Sequence, residues 1–449
     1  MNSSSGRLAV APETPRRDVD APRTGPAPLV ALLLLVIVGM RQEINQALTL
    51  GDVAAVALSP VWLFSLRQFR GARSYTALGV AALCLGLLLS GFSTADHGFD
   101  RISYFNNSVV FSSLFLAVGA VLWARTLMPG WLVGLGYGAG LALGVSATGR
   151  AAENLWKFGY SIPVTVLVLS LAIYACRRWA LNPRWTDMLL LAGLALWSGA
   201  HDARSLFGLL LLAFTLVTWQ LIPQGRTVRR SIARTLLAFV TMIIVTYNVA
   251  TGLLVDGYLG EVAQQRSSEQ IALTGSLLVG ARPEMAATIA LFQHQPWGFG
   301  VGITPSLQDI LAAKTGMARI NYQPNNGYVE NYMLGTHFEL HSVLGDFWVS
   351  FGLAGAAVAL VTIAMMIRWI VTAVAGRRAS GLVLFLAVIS LWNLLFSPMY
   401  TSMPILALAV GLVLARAPRT APQRAADVAA SPAPGPRGTT TSGQPSTQR

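Results

Sequence analysis

The chain has 449 residues, of which 54% are hydrophobic and 11% are charged, and its formal net charge is +13. Soluble globular domains carry about 25% charged residues, so this composition excludes an ordinary soluble enzyme. Many windows contain roughly 20 apolar residues, the length that a helix needs to cross a bilayer. Since lipid offers backbone groups no hydrogen-bonding partner, we predict an all-α polytopic membrane protein.

The positive charge comes almost entirely from arginine, because only Lys157 and Lys314 are lysines. The arginines are spread over short loops and do not cluster in one domain, which argues against nucleic acid as a partner. Cys84 and Cys176 both lie inside apolar runs. Neither a disulfide nor a metal framework is therefore expected.

Hydropathy divides the chain into polar tails, twelve apolar segments and one large loop. Residues 1–26 and 416–449 are expected to be disordered cytoplasmic tails. Residues 27–255 hold predicted spans one to nine, residues 256–341 form the large extracytoplasmic loop, and residues 342–415 hold spans ten to twelve. The predicted spans are 28–40, 48–65, 75–93, 107–124, 130–147, 158–176, 187–199, 205–222, 235–255, 342–367, 380–397 and 403–415.

The distribution of arginine predicts how these spans are oriented. The arginine-rich loops are 66–74, 125–129, 177–186, 223–234 and 368–378. The alternate short loops hold only Arg41, Arg101, Arg150, Lys157 and Arg204. By the positive-inside rule the first set is cytoplasmic. Both chain ends then lie in the cytoplasm, and the large loop faces the outside of an inner or plasma membrane.

The large loop contains two stretches with helical character. Residues 282–293 repeat apolar residues at helical spacing. A second helix is predicted to start with Thr304 as its cap and Pro305 at its first position, and to end at Gly316. Three glycines between the two helices predict a tight turn, since glycine accepts left-handed backbone angles: Gly298, Gly300 and Gly302.

His341 is the main candidate for chemistry, because it lies where the large loop meets an apolar helix. Histidine can exchange a proton near neutral pH, so the functional interpretation is a general base or proton relay. The structural alternative is a histidine that caps the helix or lies in the membrane interface. Asp346 follows about one helical turn later, where it either orients a ligand or satisfies a polar neighbour.

Three arginines lie on the predicted outer side, where positive charge is otherwise scarce: Arg204, Arg266 and Arg282. A guanidinium group stays charged and binds phosphate oxygens with two parallel hydrogen bonds. Such arginines would suit a lipid pyrophosphate at the membrane surface. The alternative is a solvated charge or, for Arg204, a snorkelling side chain paired with Asp202.

A metal site is a weaker hypothesis. His337 lies four residues before His341, and on a helix the two would share a face. Glu339 does not lie where the zinc-binding HExxH motif requires a glutamate, and no third ligand is evident. We therefore expect neither a metal ion nor a cofactor, and we find no carboxylate pair typical of glycosidases.

The segment around His341 resembles the signature of the O-antigen ligase and polymerase superfamily. That signature is His, then Asn, Ser or Gln, nine residues, Gly, two residues, and Gly, Thr or Tyr. Here residues 341–342 are His-Ser, nine residues follow, and residues 352–355 are Gly-Leu-Ala-Gly. Residues 280–302 are similar to the start of the family's large loop, and the twelve-span topology also matches. Arg204-Ser205 has the reverse order of the family's Ser-Arg element.

The resemblance implies a GT-C-like membrane glycosyltransferase that works without a metal ion. It would transfer a glycan from an undecaprenyl-pyrophosphate-linked donor to a hydroxyl of a glycan, lipid or protein acceptor on the extracytoplasmic face. His341 would be the catalytic base. Arg282 and Arg204 would hold the pyrophosphate, with Arg266 as a further candidate. Supporting roles are expected for His337, Ser342 and Asp346.

Alternatives remain open at this point. A ligase and a polymerase of this superfamily differ only in the acceptor, which the sequence does not reveal. A transporter of lipid-linked sugars would have charged or broken helices at the membrane midplane and two related halves, and the sequence indicates neither. A structural partner in a glycan-export complex is a third class.

Overall fold

A computed structural model describes residue 22, residues 24–221, 232–258 and 260–277, residue 280, and residues 282–417. The chain divides into a unit spanning Asp18–Ala415 and a second unit made of Met1–Arg17 and Arg416–Arg449. Of the second unit, only residues 416 and 417 are among those described. The two predicted tails therefore lie mostly outside the described residues, and every helix below belongs to the first unit.

The described part of the first unit is built from helices joined by short loops. The helices before the large loop are α1 (Pro26–Met40), α2 (Leu50–Ala57), α3 (Ser59–Ser65), α4 (Ala72–Ser93), α5 (Arg101–Leu127), α6 (Gly130–Leu143), α7 (Arg150–Glu153), α8 (Ser161–Arg178), α9 (Pro183–Ala200), α10 (Arg204–Trp219) and α11 (Ile232–Val255). The large loop holds α12 (Glu261–Thr274), α13 (Glu284–His294) and α14 (Leu307–Ala318). The last helices are α15 (Val343–Ala375), α16 (Gly381–Phe396) and α17 (Met399–Val413).

Short irregular elements complete the chain. Strand β1 (Glu43–Asn45) pairs antiparallel with β2 (Leu48–Thr49) between α1 and α2. A 3-10 turn spans Leu66–Gln68, and π-helical turns span Trp156–Tyr160 and Val329–Met333.

A helix lies at each of the twelve segments predicted from hydropathy, which confirms the all-α class. Among the described residues, the helices long and apolar enough to cross a membrane are Ala72–Ser93, Arg101–Leu127, Trp156–Arg178, Leu236–Val255 and Val343–Ala375. This arrangement agrees with an all-α membrane protein. That all twelve segments cross the membrane stays a prediction.

Predicted span 48–65 is not one straight helix. It begins in the hairpin, where Thr49 caps α2 and Asp52 completes a capping box. The helices α2 and α3 then meet at a bend of 72°. Pro60 lies in the first turn of α3 and has no N–H to donate to the preceding turn, which explains the break.

The helices of the large loop are partly as predicted. The stretch 282–293 is confirmed as α13. The second helix starts later than expected, because Ser306 accepts the Asp309 amide and the Asp309 carboxylate accepts the Ser306 amide. This capping box replaces the predicted Thr304 cap, and the helix ends at Ala318. The predicted tight turn is confirmed, since all three glycines have positive φ: Gly298 (87°), Gly300 (106°) and Gly302 (73°).

These glycines bring the large loop against the helices. A Cβ atom on Gly300 would lie 2.5 Å from the Ser90 amide nitrogen, so only glycine fits there. The Ser90 hydroxyl donates to the Val301 carbonyl (2.8 Å). The amides of Phe299 and Gly300 both donate to the Val349 carbonyl (2.9 and 3.0 Å). The loop is thereby fixed between α4 and α15.

The two ends of α17 mark opposite ends of the helix bundle. At one end Arg125 donates to the carbonyls of Gly411 (2.5 Å) and Leu414 (2.8 Å). At the other end the Met399 amide donates to the Asp346 carboxylate (2.8 Å). The 15 residues of α17 separate these ends by about 22 Å. Arg125, which belongs to a predicted cytoplasmic loop, and Asp346 thus lie at opposite ends of the helix bundle, as the predicted orientation requires. Which end faces the cytoplasm stays a prediction.

Glycines also set the contact between α1 and α6. A Cβ atom on Gly140 would collide with the Val36 carbonyl, and one on Gly144 with the Met40 carbonyl. A Cβ atom on Gly39 would lie 2.5 Å from the carbonyl oxygen of residue 137. The two backbones therefore touch directly, which is the arrangement that small residues permit between membrane helices.

We expect Gly140→Ala to lower the melting temperature of the protein in lipid nanodiscs, because overpacking of this kind costs roughly 1–3 kcal/mol. Gly193→Ala is the matched control, since a Cβ atom there meets no atom within 4 Å and alanine is the better helix former. Equal melting temperatures for the two variants would contradict the direct α1–α6 contact.

Candidate functional site

His341 lies on an irregular loop, residues 334–342, called the His341 loop below. Its backbone is left-handed, with φ of 51°. A residue with a Cβ atom is uncommon in this region, although histidine is among the enriched types, and the conformation costs of order 1–3 kcal/mol. The surrounding structure must therefore hold His341 in place.

Asp346 and Ser342 supply that support. Asp346 is only 4% exposed, and its carboxylate accepts the amides of Leu340 (2.7 Å) and Met399 (2.8 Å). Ser342 caps α15, and its hydroxyl donates to the Leu394 carbonyl (3.1 Å). The backbone on both sides of His341 is thus attached to α16 and α17. Both residues were predicted to support the site, and their contacts are with the backbone.

The imidazole of His341 is oriented by Glu339. Its Nδ1 lies 3.2 Å from the Glu339 carbonyl oxygen, and its Nε2 lies 3.9 Å from the Glu339 carboxylate. With Nδ1 donating to the carbonyl, Nε2 carries the lone pair that can accept a proton. The nearby carboxylate would stabilise the positive charge that follows. Sequence analysis gave Glu339 no role, because the spacing of a loop says little about where its side chains point.

His337 does not share a helix face with His341, since both lie on the irregular His341 loop. Its Nε2 lies 3.9 Å from the Glu339 carboxylate, on which both histidines converge. Across the described part of the chain, no group of three or more His, Cys, Asp or Glu residues could hold a metal ion.

Arg282 lies near the C-terminal end of α16, the end to which Ser342 is hydrogen-bonded. Its guanidinium lies 5.5 Å from the centre of the Trp392 ring, a cation–π distance. Trp392 lies two residues before Leu394, whose carbonyl accepts the hydrogen bond from the Ser342 hydroxyl. Arg282 and His341 are therefore both connected to the end of α16, and their shared role stays a prediction. Trp392 was missed, because nothing local marks a tryptophan inside an apolar helix.

Tyr328 and Glu284 connect these two residues. The Tyr328 ring lies 6.2 Å from the His341 ring, and its hydroxyl donates to the Glu284 carboxylate (2.5 Å). Burial and the adjacent Glu284 carboxylate raise the pKa of Tyr328, so the hydroxyl stays protonated and donates. Glu284 is 6% exposed, and its Oε2 has no hydrogen-bond partner among the described residues. That oxygen is itself buried, so it is an unsatisfied acceptor inside the protein.

Arg204 makes a different set of contacts. Its Nε lies 3.6 Å from the Asp202 carboxylate, which also pairs with Lys157 (2.7 Å). Its Nη1 donates to the Ser267 hydroxyl on α12 (3.3 Å). The pairing with Asp202 that the sequence offered as an alternative is thus present. Within the described side chains, no hydrogen bond or ion pair joins Arg204 to the His341 region.

Arg266 lies on α12, but its side chain is outside the described residues. The predicted pyrophosphate-binding roles of Arg204 and Arg266 both stay predictions.

The glycines that follow His341 in the sequence have a conformational role. Gly352 has a φ of 62° and kinks α15. A Cβ atom on Gly352 would lie 2.8 Å from the Trp297 carbonyl, and one on Gly298 would lie 2.5 Å from the Trp348 carbonyl. The kink therefore permits close contact between α15 and the large loop. The sequence indicated no broken helix at the membrane midplane; the structure shows that α15 is broken at Gly352, in its N-terminal third.

A partly buried ionic cluster ties the loop between α4 and α5 to the large loop. His97 lies 2.7 Å from the Asp96 carboxylate and 3.1 Å from the Asp309 carboxylate. Asp309 is 1% exposed, and His294 lies 3.6 Å from it on the other side. Burial opposes a charge on His97, but the hydrogen bonds and charges of Asp96 and Asp309 together raise its pKa.

No protein-family model, no curated protein and no solved structure matches this chain. The resemblance to the O-antigen ligase and polymerase superfamily therefore stays a prediction.

We expect Asp346→Ala to release the His341 loop, because two backbone amides lose their acceptor and each buried unsatisfied donor costs roughly 1–3 kcal/mol. Hydrogen exchange followed by mass spectrometry should show faster exchange at Leu340 and Met399. Asp187→Ala is the matched control, since this buried carboxylate accepts the Gly381 amide elsewhere in the bundle. Unchanged exchange at Leu340 in Asp346→Ala would contradict the anchoring role.

We expect the large loop to be held more weakly as the pH rises. The pKa of His97 is higher in the folded state than its unfolded value of about 6.5, so its stabilising contribution is fully present below about pH 6.5. That contribution is lost as the pH rises through the folded-state pKa. Limited proteolysis of the large loop from pH 5.5 to 8.5 should therefore accelerate in the wild type. In His97→Gln this dependence should be absent, and a dependence equal to that of the wild type would contradict the account.

Proposed function

We propose that the chain is a membrane glycosyltransferase of GT-C-like, twelve-span architecture. It transfers a glycan from an undecaprenyl-pyrophosphate-linked donor to an acceptor hydroxyl on the extracytoplasmic face. The observation that carries the proposal is the oriented imidazole of His341, with Nδ1 bound to the Glu339 carbonyl and Nε2 3.9 Å from the Glu339 carboxylate.

His341 acts as the general base. An acceptor hydroxyl is a weak nucleophile, and removal of its proton in the transition state typically accelerates such reactions by about 10²–10⁴. The carbonyl of Glu339 selects the tautomer that leaves Nε2 free. The carboxylate of the same residue favours the charged imidazolium once the proton has been taken.

Arg282 holds the leaving group. Its guanidinium stays charged, and stacking on Trp392 fixes its position at the end of α16. A fixed positive charge aimed at the pyrophosphate stabilises the negative charge that grows as the glycosidic bond breaks. This electrostatic contribution requires no metal ion.

The acceptor oxygen forms a new bond to the anomeric carbon, and the bond from that carbon to the pyrophosphate oxygen breaks. Undecaprenyl pyrophosphate leaves with the bonding electron pair, and the hydroxyl proton passes to Nε2 of His341. Single displacement inverts the anomeric configuration. Glu284 holds the Tyr328 hydroxyl, whose ring lies beside that of His341.

A transporter of lipid-linked sugars is a second candidate, favoured by the kink of α15 at Gly352 and the bend between α2 and α3. Broken helices of this kind line substrate sites in transporters. The products distinguish the two classes, because a transporter releases its substrate with the glycosidic bond to pyrophosphate intact.

We expect His341→Ala to abolish transfer while the protein remains folded. Membrane vesicles from a strain that lacks this chain contain the accumulated donor and the natural acceptor. Wild-type protein added to them should release undecaprenyl pyrophosphate, measured by mass spectrometry, and His341→Ala should reduce the rate by about 10²–10⁴.

His294→Ala is the matched control, because His294 lies on the large loop but contacts Asp309 and not the His341 region. It should keep the wild-type rate. Release by His341→Ala at the wild-type rate would refute the catalytic role. Intact donor moved across the membrane without release would favour the transporter.

A further inference from the structure

One side of α13, the first helix after Arg282 in the large loop, is both exposed and apolar. Met285, Ile289 and Phe292 recur there at helical spacing, and Ile289 is 56% exposed. The opposite side carries Ala287 and Leu291, which are fully buried against the rest of the loop. The helix thus has two apolar sides and buries only one of them. An exposed apolar stripe of this kind marks a surface that contacts lipid or another protein.

Trp297 joins this stripe to the surface of a membrane helix. Its side chain is 68% exposed, and its carbonyl oxygen would lie 2.8 Å from a Cβ atom on Gly352 in α15. Leu353 follows at once and is 46% exposed, and Leu360 farther along α15 is 55% exposed. Since α15 is long and apolar enough to cross a membrane, its exposed leucines suit contact with lipid. The exposed side of α13 therefore adjoins a lipid-facing surface.

The segment that contains α13 is attached at both ends to apolar helices, close to where those helices end. Arg282, just before α13, lies 5.5 Å from the ring of Trp392, four residues before α16 ends. Gly300, after α13, contacts Ser90, three residues before α4 ends. Each contact is thus about 5 Å inside a helix end. The predicted orientation puts both helix ends on the side of the large loop, so α13 lies at the level of the membrane surface.

No charged group opposes contact between α13 and lipid. Residues 285–297 contain no Asp, Glu, Lys or Arg. Glu284, at the first position of α13, is 6% exposed and turned towards the protein, where it binds Tyr328. Burial of an unpaired charge, which usually keeps a loop out of a bilayer, is therefore not required. Tryptophan, as at residue 297, is enriched where membrane and water meet.

A protein partner is the alternative occupant of the same stripe. Such a partner would also cover the adjoining surface of α15 around Leu353, from which it would have to displace lipid. The bilayer covers both surfaces at once, and the level of α13 places it there. The observations therefore favour lipid.

We propose that α13 is an interfacial membrane anchor. Met285, Ile289, Phe292 and Trp297 insert into the bilayer leaflet on the side of the large loop, to the depth of about 5–10 Å that is typical of amphipathic interfacial helices. The inference does not rest on the proposed function, because contact with lipid is measured without turnover. For the proposed function its consequence is positional: Arg282 is held at the depth of lipid headgroups, where phosphate groups lie.

Spin labels test this contact directly. In the full chain, with Cys84 and Cys176 replaced by serine, one cysteine is introduced at a time, as Ile289→Cys or Trp297→Cys. Each variant is labelled with a nitroxide and placed in phospholipid nanodiscs. Power-saturation EPR then measures collisions of the label with oxygen, which concentrates in lipid, and with a neutral nickel chelate, which stays in water.

Two matched positions calibrate the measurement. Leu360→Cys lies on the exposed side of α15 and serves as the lipid reference, and Gln323→Cys lies at an exposed polar position of the large loop and serves as the water reference. We expect labels at residues 289 and 297 to collide more with oxygen than with the chelate, as at residue 360. The ratio should be reversed at residue 323.

Two results would overturn the anchor. Labels at residues 289 and 297 that collide mainly with the chelate would show that water covers the stripe. Labels that collide with neither reagent would show that protein covers it. The proposed function is judged separately by the vesicle assay: lipid contact without glycan transfer would leave the anchor standing, and transfer by a chain whose stripe faces water would refute the anchor alone.

Discussion

The structure of the candidate site depends on one buried carboxylate. Asp346 accepts the amides of Leu340 and Met399, and so connects the start of α15, the start of α17 and the backbone next to His341. Without that acceptor, only the Ser342 contacts would offset the cost of the left-handed conformation of His341. The side-chain geometry around the imidazole follows from this anchoring, because the Glu339 carbonyl that orients the ring belongs to the same loop.

The charged groups of the site follow a consistent pattern. Each is held by an aromatic ring or a backbone group, which leaves part of its hydrogen-bonding capacity unused. Arg282 stacks on Trp392, and Glu284 accepts from Tyr328 through only one of its oxygens. Groups fixed in this way lose little entropy when a ligand binds, and they suit preorganised electrostatic stabilisation.

The sequence predicted those parts of the fold that depend on local composition. The positions of the twelve apolar helices follow from hydropathy, and the turn at Gly298–Gly302 follows from the conformational freedom of glycine. Local competition between signals explains two errors. Ser306 with Asp309 forms a better cap than Thr304, and Pro60 divides an apolar run that hydropathy treats as continuous.

The site was predicted less completely, because its contacts join distant parts of the chain. His341 and Arg282 were found from their types and positions. Glu284, Tyr328 and Trp392 lie between 44 and 108 residues from one another along the chain, and no local pattern reveals that folding joins them. The kink at Gly352 was missed for the same reason, since it permits close contact with the Trp297 carbonyl of the large loop, which is distant in sequence.

The central claim is that the base and the arginine act on the outer side of the membrane. It is tested most directly by placing one cysteine at the exposed Gln323 of the large loop, in a chain whose Cys84 and Cys176 are replaced by serine. A membrane-impermeant maleimide should label this cysteine in intact cells. Labelling only after the membrane is permeabilised would place His341 and the lipid-linked donor on opposite sides and contradict the account.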